Sequence, residues 1–417
     1  MAKSEIIVGL DIGTTKIAVV VGREDEEGKI EILGHGTVES VGVKRGVVAN
    51  IDQTVESIKR AVKKAEDDSD VDISEVHVGI AGQFIKSIQH RGSIIRTNVE
   101  DEISTEDIRK MTESMKNIAV DAGDEIIAVF PQEYTVDGES GISNPVGMAG
   151  KCIESNFHII TAQTTSVKNI MKCVQRAGLE LKSLALEPIA SAEAVLSAEE
   201  KEAGVVLVDI GGGTTDVAVF HDNVLRHTAV IPFGGEIITE DIREGCTIIK
   251  KYAEDLKIKF GSALATEHKN DIVSIPGLRG REPKEIKLKN LASIIQARME
   301  EILAQVYVQI KNSGYAKKLI AGVVITGGGS LLNHAVQLTE FITGMDTRIG
   351  YPNEHLSVHS DKEIHSPIYA TSVGLVKLAL DELSDSDSSD SQDIKDSGRN
   401  IGKNIFNIFG KLLKDNI

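Results

Sequence analysis

The chain contains no tryptophan, and aromatic residues make up only 4% of its 417 positions, so its cores must be filled by Ile, Val, Leu and Ala. Cysteine is almost as scarce. Cys152, Cys173 and Cys246 are odd in number, far apart and without a CxxC pair, which excludes a disulfide framework and a zinc site of the common spacing. A reducing cytoplasm is the setting this usage fits. Positive charge is in deficit: the formal net charge is −17, which argues against nucleic acid as a main partner, because phosphate backbones recruit Lys and Arg. No run of about 18 apolar residues occurs, so no segment is expected to span a bilayer. The N-terminus (MAKSEIIVG) passes straight into a strand, with no signal peptide in between.

What is present begins at residues 8–21, VGLDIGTTKIAVVV. This reads as strand, tight turn and strand, with β-branched residues in both arms and the break at Gly13. Asp11 closes the first arm. A carboxylate there, beside small residues with free backbone N–H groups, can hold a hydrated metal next to a phosphate; alone, it could equally cap an ordinary hairpin. Residues 207–220, LVDIGGGTTDVAVF, repeat the pattern: D-I-G, then T-T, a charged residue, Ile or Val, and A-V. With Asp209 set over Asp11, the second copy carries two extra glycines in its turn. Two such hairpins far apart in sequence point to two related lobes, and two glycine-rich turns facing each other can grip a polyphosphate.

Apolar content of 41% over this length suffices for two or more domains with sizeable cores. Three strands are expected up to residue 38, followed by a helix whose stripe is Val55, Ile58, Ala61, Val62 and Ala65. From about residue 83 to 156 the texture changes to short strands and a helix capped at Ser104 or Thr105, an inserted α+β unit. Residues 184–196 (LALEPIASAEAVL) and 366–380 (SPIYATSVGLVKLAL) read as small-residue helices able to cross closely, although an Ala-rich core helix would look the same. Pro188 suits a first helical turn. Gly234 and Gly235 form a turn that leads into a helix. Residues 271–289 are basic, and a long amphipathic helix is expected over 290–313. Residues 321–332 (AGVVITGGGSLL) place Gly327, Gly328 and Gly329 between a strand and a helix, where exposed N–H groups suit a phosphate or nucleoside.

The tail departs from this texture. Residues 383–397 (LSDSDSSDSQDIKDS) are nearly all Ser and Asp and cannot bury a core. Residues 400–417 (NIGKNIFNIFGKLLKDNI) then place Ile405, Ile408, Phe409, Leu412 and Leu413 at helical spacing, with Lys403, Lys411 and Lys414 opposite. A basic amphipathic segment on a tether suits an anionic bilayer surface; docking on the domain or on a partner groove is the alternative.

The ordered set DIGTTK, LEPIASA, DIGGGTTD, TGGGS and SPIYATSVG resembles the actin/Hsp70/sugar-kinase ATPase superfamily. The resemblance implies an α/β, two-lobe ATPase with duplicated βββαβα-type cores. Its parts would be a first lobe over 1–83 and 163–197 with the helix 366–382, an inserted subdomain over 84–162, a second lobe over 198–227 and 309–365, and its insertion over 228–308. An acidic linker over 383–398 and a membrane-targeting helix over 399–417 would follow. Within the superfamily, PQEYTVDG (131–138), FHIITAQ (157–163) and the tethered terminal helix are similar to the FtsA family of bacterial cell-division proteins. That likeness implies an ATP-binding protein that polymerises at the cytoplasmic face of the cell membrane, at the septum, anchors FtsZ filaments there and recruits later division proteins.

The residue roles carried over are these. Asp11 and Asp209 would orient water around Mg²⁺. Gly13, Thr14, Thr15 and Lys16 from one lobe, and Gly211, Gly212, Gly213, Thr214 and Thr215 from the other, would contact phosphates. Glu187 would position the attacking water, with capping of the helix at Pro188 as its plainer role. Gly234, Gly235, Glu254, Lys257 and the Gly327–Gly329 turn would hold the adenosine. Ile405, Phe406, Ile408, Phe409, Lys411, Leu412 and Leu413 would enter the membrane. Arg298 would meet the C-terminal tail of FtsZ. The competing reading is a small-molecule kinase of the same superfamily, which needs a general base near the γ-phosphate that no Asp here supplies. An Hsp70-like chaperone would need a peptide-binding domain for which the chain has no room. A metal site at His355, His359 and His365 lacks a carboxylate ligand and is discounted.

Overall fold

The computed structural model describes residues 5–97, 101–267, 271–277, 282–358 and 360–388. The terminal amphipathic segment with its seven membrane candidates, the linker beyond 388, and His359 lie outside the described residues.

The chain opens as an antiparallel meander of β1 (Ile7–Ile12), β2 (Lys16–Glu24) and β3 (Ile30–Glu39). Helix α1 (Ile51–Ser69) follows, capped by the Asn50 side chain, and buries the expected stripe Val55, Ile58, Ala61, Val62 and Ala65 on the sheet. Strand β4 (Glu75–Ile80) returns parallel to β1.

A second sheet then interrupts the lobe. It is built from β5 (Lys86–Ile95), β6 (Asp124–Val136), β7 (Glu139–Ile142) and β8 (Cys152–Gln163) in the order β5-β8-β6-β7. Helix α2 (Thr105–Met115) packs on it behind a capping box between Ser104 and Asp107. This unit has its own core of Ile103, Met111, Val129, Ile153, Phe157 and Ile159. It also rests on the second lobe: Ser87 Oγ donates to the Thr228 carbonyl at 3.1 Å, and Gln132 Nε2 to the Leu225 carbonyl at 2.9 Å.

The first lobe resumes with α3 (Thr164–Ala177), β9 (Glu180–Leu186) and α4 (Glu187–Val195). Its completed sheet has the order β9-β4-β1-β2-β3.

The second lobe repeats this plan. A meander of β10 (Val205–Ile210), β11 (Thr215–His221) and β12 (Val224–Ile231) is extended by β13 (Val323–Thr326) and β14 (Thr347–Ile349) in the order β12-β11-β10-β13-β14. In both sheets the two added strands run parallel to the first strand of the meander. Helices α5 (Gly235–Cys246), α6 (Lys250–Phe260) and α7 (Leu288–Asn312) cover the sheet. The junction expected at 308/309 falls inside α7, which buries Leu291, Ile295, Met299, Ile302, Val306 and Ile310 as one continuous helix in the second lobe's core.

The last helix among the described residues, α9 in a chain whose α8 is Ala335–Thr343, spans Ala370–Ser388. It therefore runs past residue 383, where the acidic linker was expected. Lys377 pairs with Asp381 at 2.6 Å, and Ser384 Oγ donates to the Asp381 carbonyl, so the first acidic residues are absorbed into helix. Helices α4 and α9 cross at very short range. A Cβ placed on Gly374 would lie 1.8 Å from the Ala190 carbonyl oxygen, so only glycine permits this approach.

Candidate functional site

The two hairpins face each other across a cavity of about 370 Å³ between the lobes. That is within the range of small-molecule sites. In the first hairpin Ile12 pairs with Ile17, and in the second Ile210 pairs with Thr215. The turns are therefore residues 13–16 and 211–214, equal in length. This corrects the alignment drawn from sequence: the glycines of the second copy occupy places held by Thr14 and Thr15 in the first, and Lys16 corresponds to Thr214. The register also puts Asp11 opposite Ala18 but Asp209 opposite Asp216.

The turns touch. A Cβ on Gly212 would fall 2.4 Å from the Thr15 side chain, and one on Gly213 would fall 2.3 Å from Thr14 Oγ1. Bare backbone on one lobe thus meets threonine methyl and hydroxyl groups on the other. Thr14 Oγ1 also accepts the Gly46 N–H at 2.9 Å, which fixes its rotamer.

Four carboxylates form the floor: Asp11, Glu187, Asp209 and Asp216. Asp11 lies 3.4 Å from Lys16, whose ammonium also donates to the Ile368 carbonyl and sits 5.2 Å from the centre of the Tyr369 ring. Asp209 accepts from Ser191 at 2.7 Å and from Thr371 at 3.4 Å. Asp216 accepts from Thr214 at 3.1 Å through Oδ2, while its Oδ1 is buried without a hydrogen-bond partner. Burial, with Asp209 beside it, pushes the Asp216 carboxyl up to about 8. Burial, then the charges of Asp11, Asp216 and Asp209, raise Glu187 well above the ordinary carboxylate range. Burial raises Asp209 too, opposed by the Ser191 bond. So many carboxylates in one low-dielectric floor, with one lysine, are at odds with one another until a cation enters.

The far wall comes from the second lobe. Lys257 donates to the Gly235 carbonyl and to Thr239 Oγ1, both at 2.9 Å, and pairs with Glu254 at 2.9 Å. Gly327, Gly328 and Gly329 form one edge, with Gly327 at φ +76°. Ile238, Ile258, Leu331 and Leu332 supply an apolar lining, and Ile258 stays 71% exposed at the mouth. A phosphate-sized polar end and an apolar slot therefore share one cavity.

Most of the expected residues meet here, but Thr215 and Gly234 are not among the lining residues. Thr215 is fully buried and donates to the Phe233 carbonyl at 2.8 Å, which holds the turn before α5. Gly234 packs on the backbone of Gly211 and Gly212 behind the phosphate turn. Sequence reasoning passed over Asp216, Thr371, Gly46 and Ile258. Asp216 stood inside the quoted motif, but its role depends on the ladder register. Arg298 is elsewhere, on α7, and is already engaged: it makes a bidentate pair with Asp241 (2.6 and 3.0 Å) and a further bond to Glu301.

A family model described as "Cell division protein FtsA" matches residues 206–374, and one described as "SHS2 domain inserted in FTSA" matches residues 82–161. The cell division protein FtsA of Pseudomonas aeruginosa is 39% identical over 384 residues, 91% of each chain. The chain belongs to the FtsA family. The FtsA of Escherichia coli is 34% identical over 89% of this chain and 90% of its own. Among solved structures, a chain of the PilM–PilN type IV pilus biogenesis complex superposes with a TM-score of 0.66 at 15% identity, covering 90% of this chain and 98% of its own. MreB5 of Spiroplasma citri bound to AMPPNP gives 0.55 at 15% identity, covering 93% and 99%. These likenesses establish the actin-like two-lobe fold.

Proposed function

We propose that this FtsA-family chain binds ATP with Mg²⁺ between its lobes and uses the nucleotide chiefly to set lobe closure for assembly at the membrane. The observation that carries the reading is the pair of touching turns above the four-carboxylate floor. Backbone N–H groups of residues 211–214 and the hydroxyls of Thr14 and Thr15 suit phosphate oxygens on opposite sides. The donor set also fits a hydrated cation: Asp216 Oδ1 has no partner, and the crowded carboxylates need positive charge. Among the described residues no three carboxylate, thiol or imidazole groups converge to bind a metal directly. Asp11 and Asp209 would thus hold Mg²⁺ through its waters and the phosphates. Such an ion would screen the phosphate charge. Lys16 would add a point charge from the first lobe. Glu187, whose carboxyl burial and the neighbouring carboxylates hold well above the ordinary range, would hold a water near the terminal phosphate. Gly235, Glu254, Lys257 and the Gly327–Gly329 turn would seat the adenosine, with Ile258 and Leu331 against the base. The AMPPNP-bound MreB5 neighbour supports nucleotide in a fold of this kind.

In the cell, the reading places filaments of this chain on the cytoplasmic face of the membrane at the division septum. Residues 399–417 would insert there, the FtsZ tail would dock on the outer helices of the second lobe, and the inserted sheet would offer a surface to later division proteins. Because Arg298 is paired with Asp241, an acidic tail would have to take the place of that carboxylate. No described helix is long and apolar enough to cross a membrane. One short segment binds weakly, so several protomers would act together. Vesicle sedimentation with ATP and FtsZ tests the assembly. The full chain should carry FtsZ to anionic vesicles, and a chain ending at Ser388 should not; recruitment by the shortened chain contradicts the anchor.

A further inference from the structure

The carboxylate of Asp209 is tied to the crossing of α4 and α9 by a two-hydroxyl chain. Ser191, on α4, is fully buried, and Thr371, on α9, is nearly so. Each hydroxyl carries one proton. That of Ser191 goes to Asp209 Oδ2 at 2.7 Å. That of Thr371 is within reach of the Ser191 oxygen at 3.0 Å and of the same carboxylate oxygen at 3.4 Å. The shorter contact makes the sequence Thr371 to Ser191 to Asp209, a relay that begins on one helix and crosses to the other. The Ser191 bond ends on Oδ2, and Thr371 lies on that same side of the carboxylate. The other oxygen, Oδ1, points to the Gly327 turn, where a Cβ would come within 2.2 Å of it. The carboxylate is thereby held in rotation, with Oδ2 engaged by Ser191 and Oδ1 beside the Gly327 turn that edges the cavity.

These two hydroxyls stand at the crossing of α4, which packs on β10 and β11 of the second lobe, and α9, which packs on β1 and β2 of the first. The Gly374 backbone lies against the Ala190 carbonyl, one residue before Ser191. So close a contact leaves the helices little room to slide, and a change in their angle must alter the separation of Ser191 and Thr371. Polar side chains fully buried in an otherwise small-residue crossing are costly unless they hydrogen-bond, and here the bonds they make converge on the cavity floor.

We infer that Ser191 and Thr371 are positioning residues that aim Asp209 at the cation of a bound nucleotide and pass the occupancy of the site to the angle between α4 and α9. The inference rests on the nucleotide reading above. Ser191 is not among the residues that line the cavity, whereas Thr371 is, so Ser191 is the residue that acts through Asp209 alone, and only in the ion-bound state does the aim of Oδ1 matter. Loss of a hydroxyl should therefore weaken the magnesium complex far more than the free nucleotide.

The test is calorimetric titration of ATP into the full chain, with saturating Mg²⁺ and again with EDTA. Wild type, Ser191→Ala, Thr371→Val and Thr371→Ser are compared. Ser191→Ala should bind Mg-ATP about tenfold or more weakly, the scale of a lost hydrogen bond to a charged group, and change less than about twofold in EDTA. Thr371→Val should fall in the same direction by a smaller factor, and Thr371→Ser, which keeps the hydroxyl, should restore wild-type binding. Amide hydrogen exchange gives a second readout: Mg-ATP should slow exchange in α4 and the first turns of α9 in wild type and in Thr371→Ser, but not in Ser191→Ala. Equal losses with and without Mg²⁺, or unchanged Mg-ATP affinity in Ser191→Ala, overturn the inference while leaving the nucleotide reading intact. A wild-type chain that binds no ATP in either condition overturns the nucleotide reading, and the positioning role with it.

Discussion

Asp216 concentrates the electrostatics of the site in one side chain. It is 4% exposed, has one oxygen without a partner, and is held up to about 8 by burial and by Asp209. Its carboxyl holds its proton in the folded chain far above the ordinary value of 3.8, which the unfolded chain keeps. Folding therefore takes up a proton over that interval, and stability is lost as pH rises from about 4 to about 8. Asp216→Asn, which cannot ionise, removes this loss. Without nucleotide, the variant should gain melting temperature over the wild type progressively between pH 5 and pH 8, and the gain should shrink when Mg-ATP is present. A constant difference across that range would mean that Asp216 is ionised throughout. Little of this was legible in the sequence. Asp11 and Asp209 stand out because they head the two turns. Asp216 looks like one more polar residue after T-T until the pairing sets it opposite Asp209 while Ala18 faces Asp11. Ser191 and Thr371 read as small helix residues, since what their hydroxyls do depends on a crossing between segments far apart in the chain.

Among the elements, the two hairpins and the two crossing helices were the most readable, because each shows a local pattern. The hairpins share a repeated D-I-G and T-T string flanked by β-branched arms, and the helices show runs of Ala, Ser and Gly. Turn length was misread. Counting residues suggested a longer second turn, but the returning strand of the second hairpin starts pairing at its second threonine, two residues earlier in the shared motif than in the first hairpin, and only the ladder reveals it. The contact of the inserted sheet with β12 also escaped, since Ser87 and Gln132 meet backbone carbonyls whose positions no side-chain pattern marks. The end of α9 escaped because Ser and Asp have poor helix propensity, and the Lys377–Asp381 pair and a preceding stable helix carry them. The crossing itself yields a stability prediction. Gly374→Ala puts a methyl into the Ala190 carbonyl, and overpacking of this kind costs about 1–3 kcal/mol. Urea unfolding should show that loss; Gly123→Ala, where a Cβ meets nothing within 4 Å but φ is +91°, should cost about 1 kcal/mol from backbone strain alone.

At the scale of the whole molecule, two lobes of one topology enclose a site that neither could build alone, and a third unit with its own core bridges from the first lobe to the second. The two five-stranded sheets match in strand order. The turns differ: one is glycine backbone and the other carries threonines, so that they interlock. Substitutions in the terminal segment should separate anchoring from nucleotide binding. On the proposed anchoring, Phe409→Glu and Ile405→Glu should abolish sedimentation with anionic vesicles and leave the affinity for ATP within about twofold, because charge on the apolar stripe opposes insertion. The central claim is that nucleotide sits between the two turns, and calorimetric titration of Mg-ATP into the full chain and into Gly213→Val tests it most directly. The branched side chain introduced there would project into Thr14 and hold the turns apart, so the account predicts one ATP per wild-type chain and binding weakened by about tenfold or more in the variant. Equal affinity in the two proteins would contradict it.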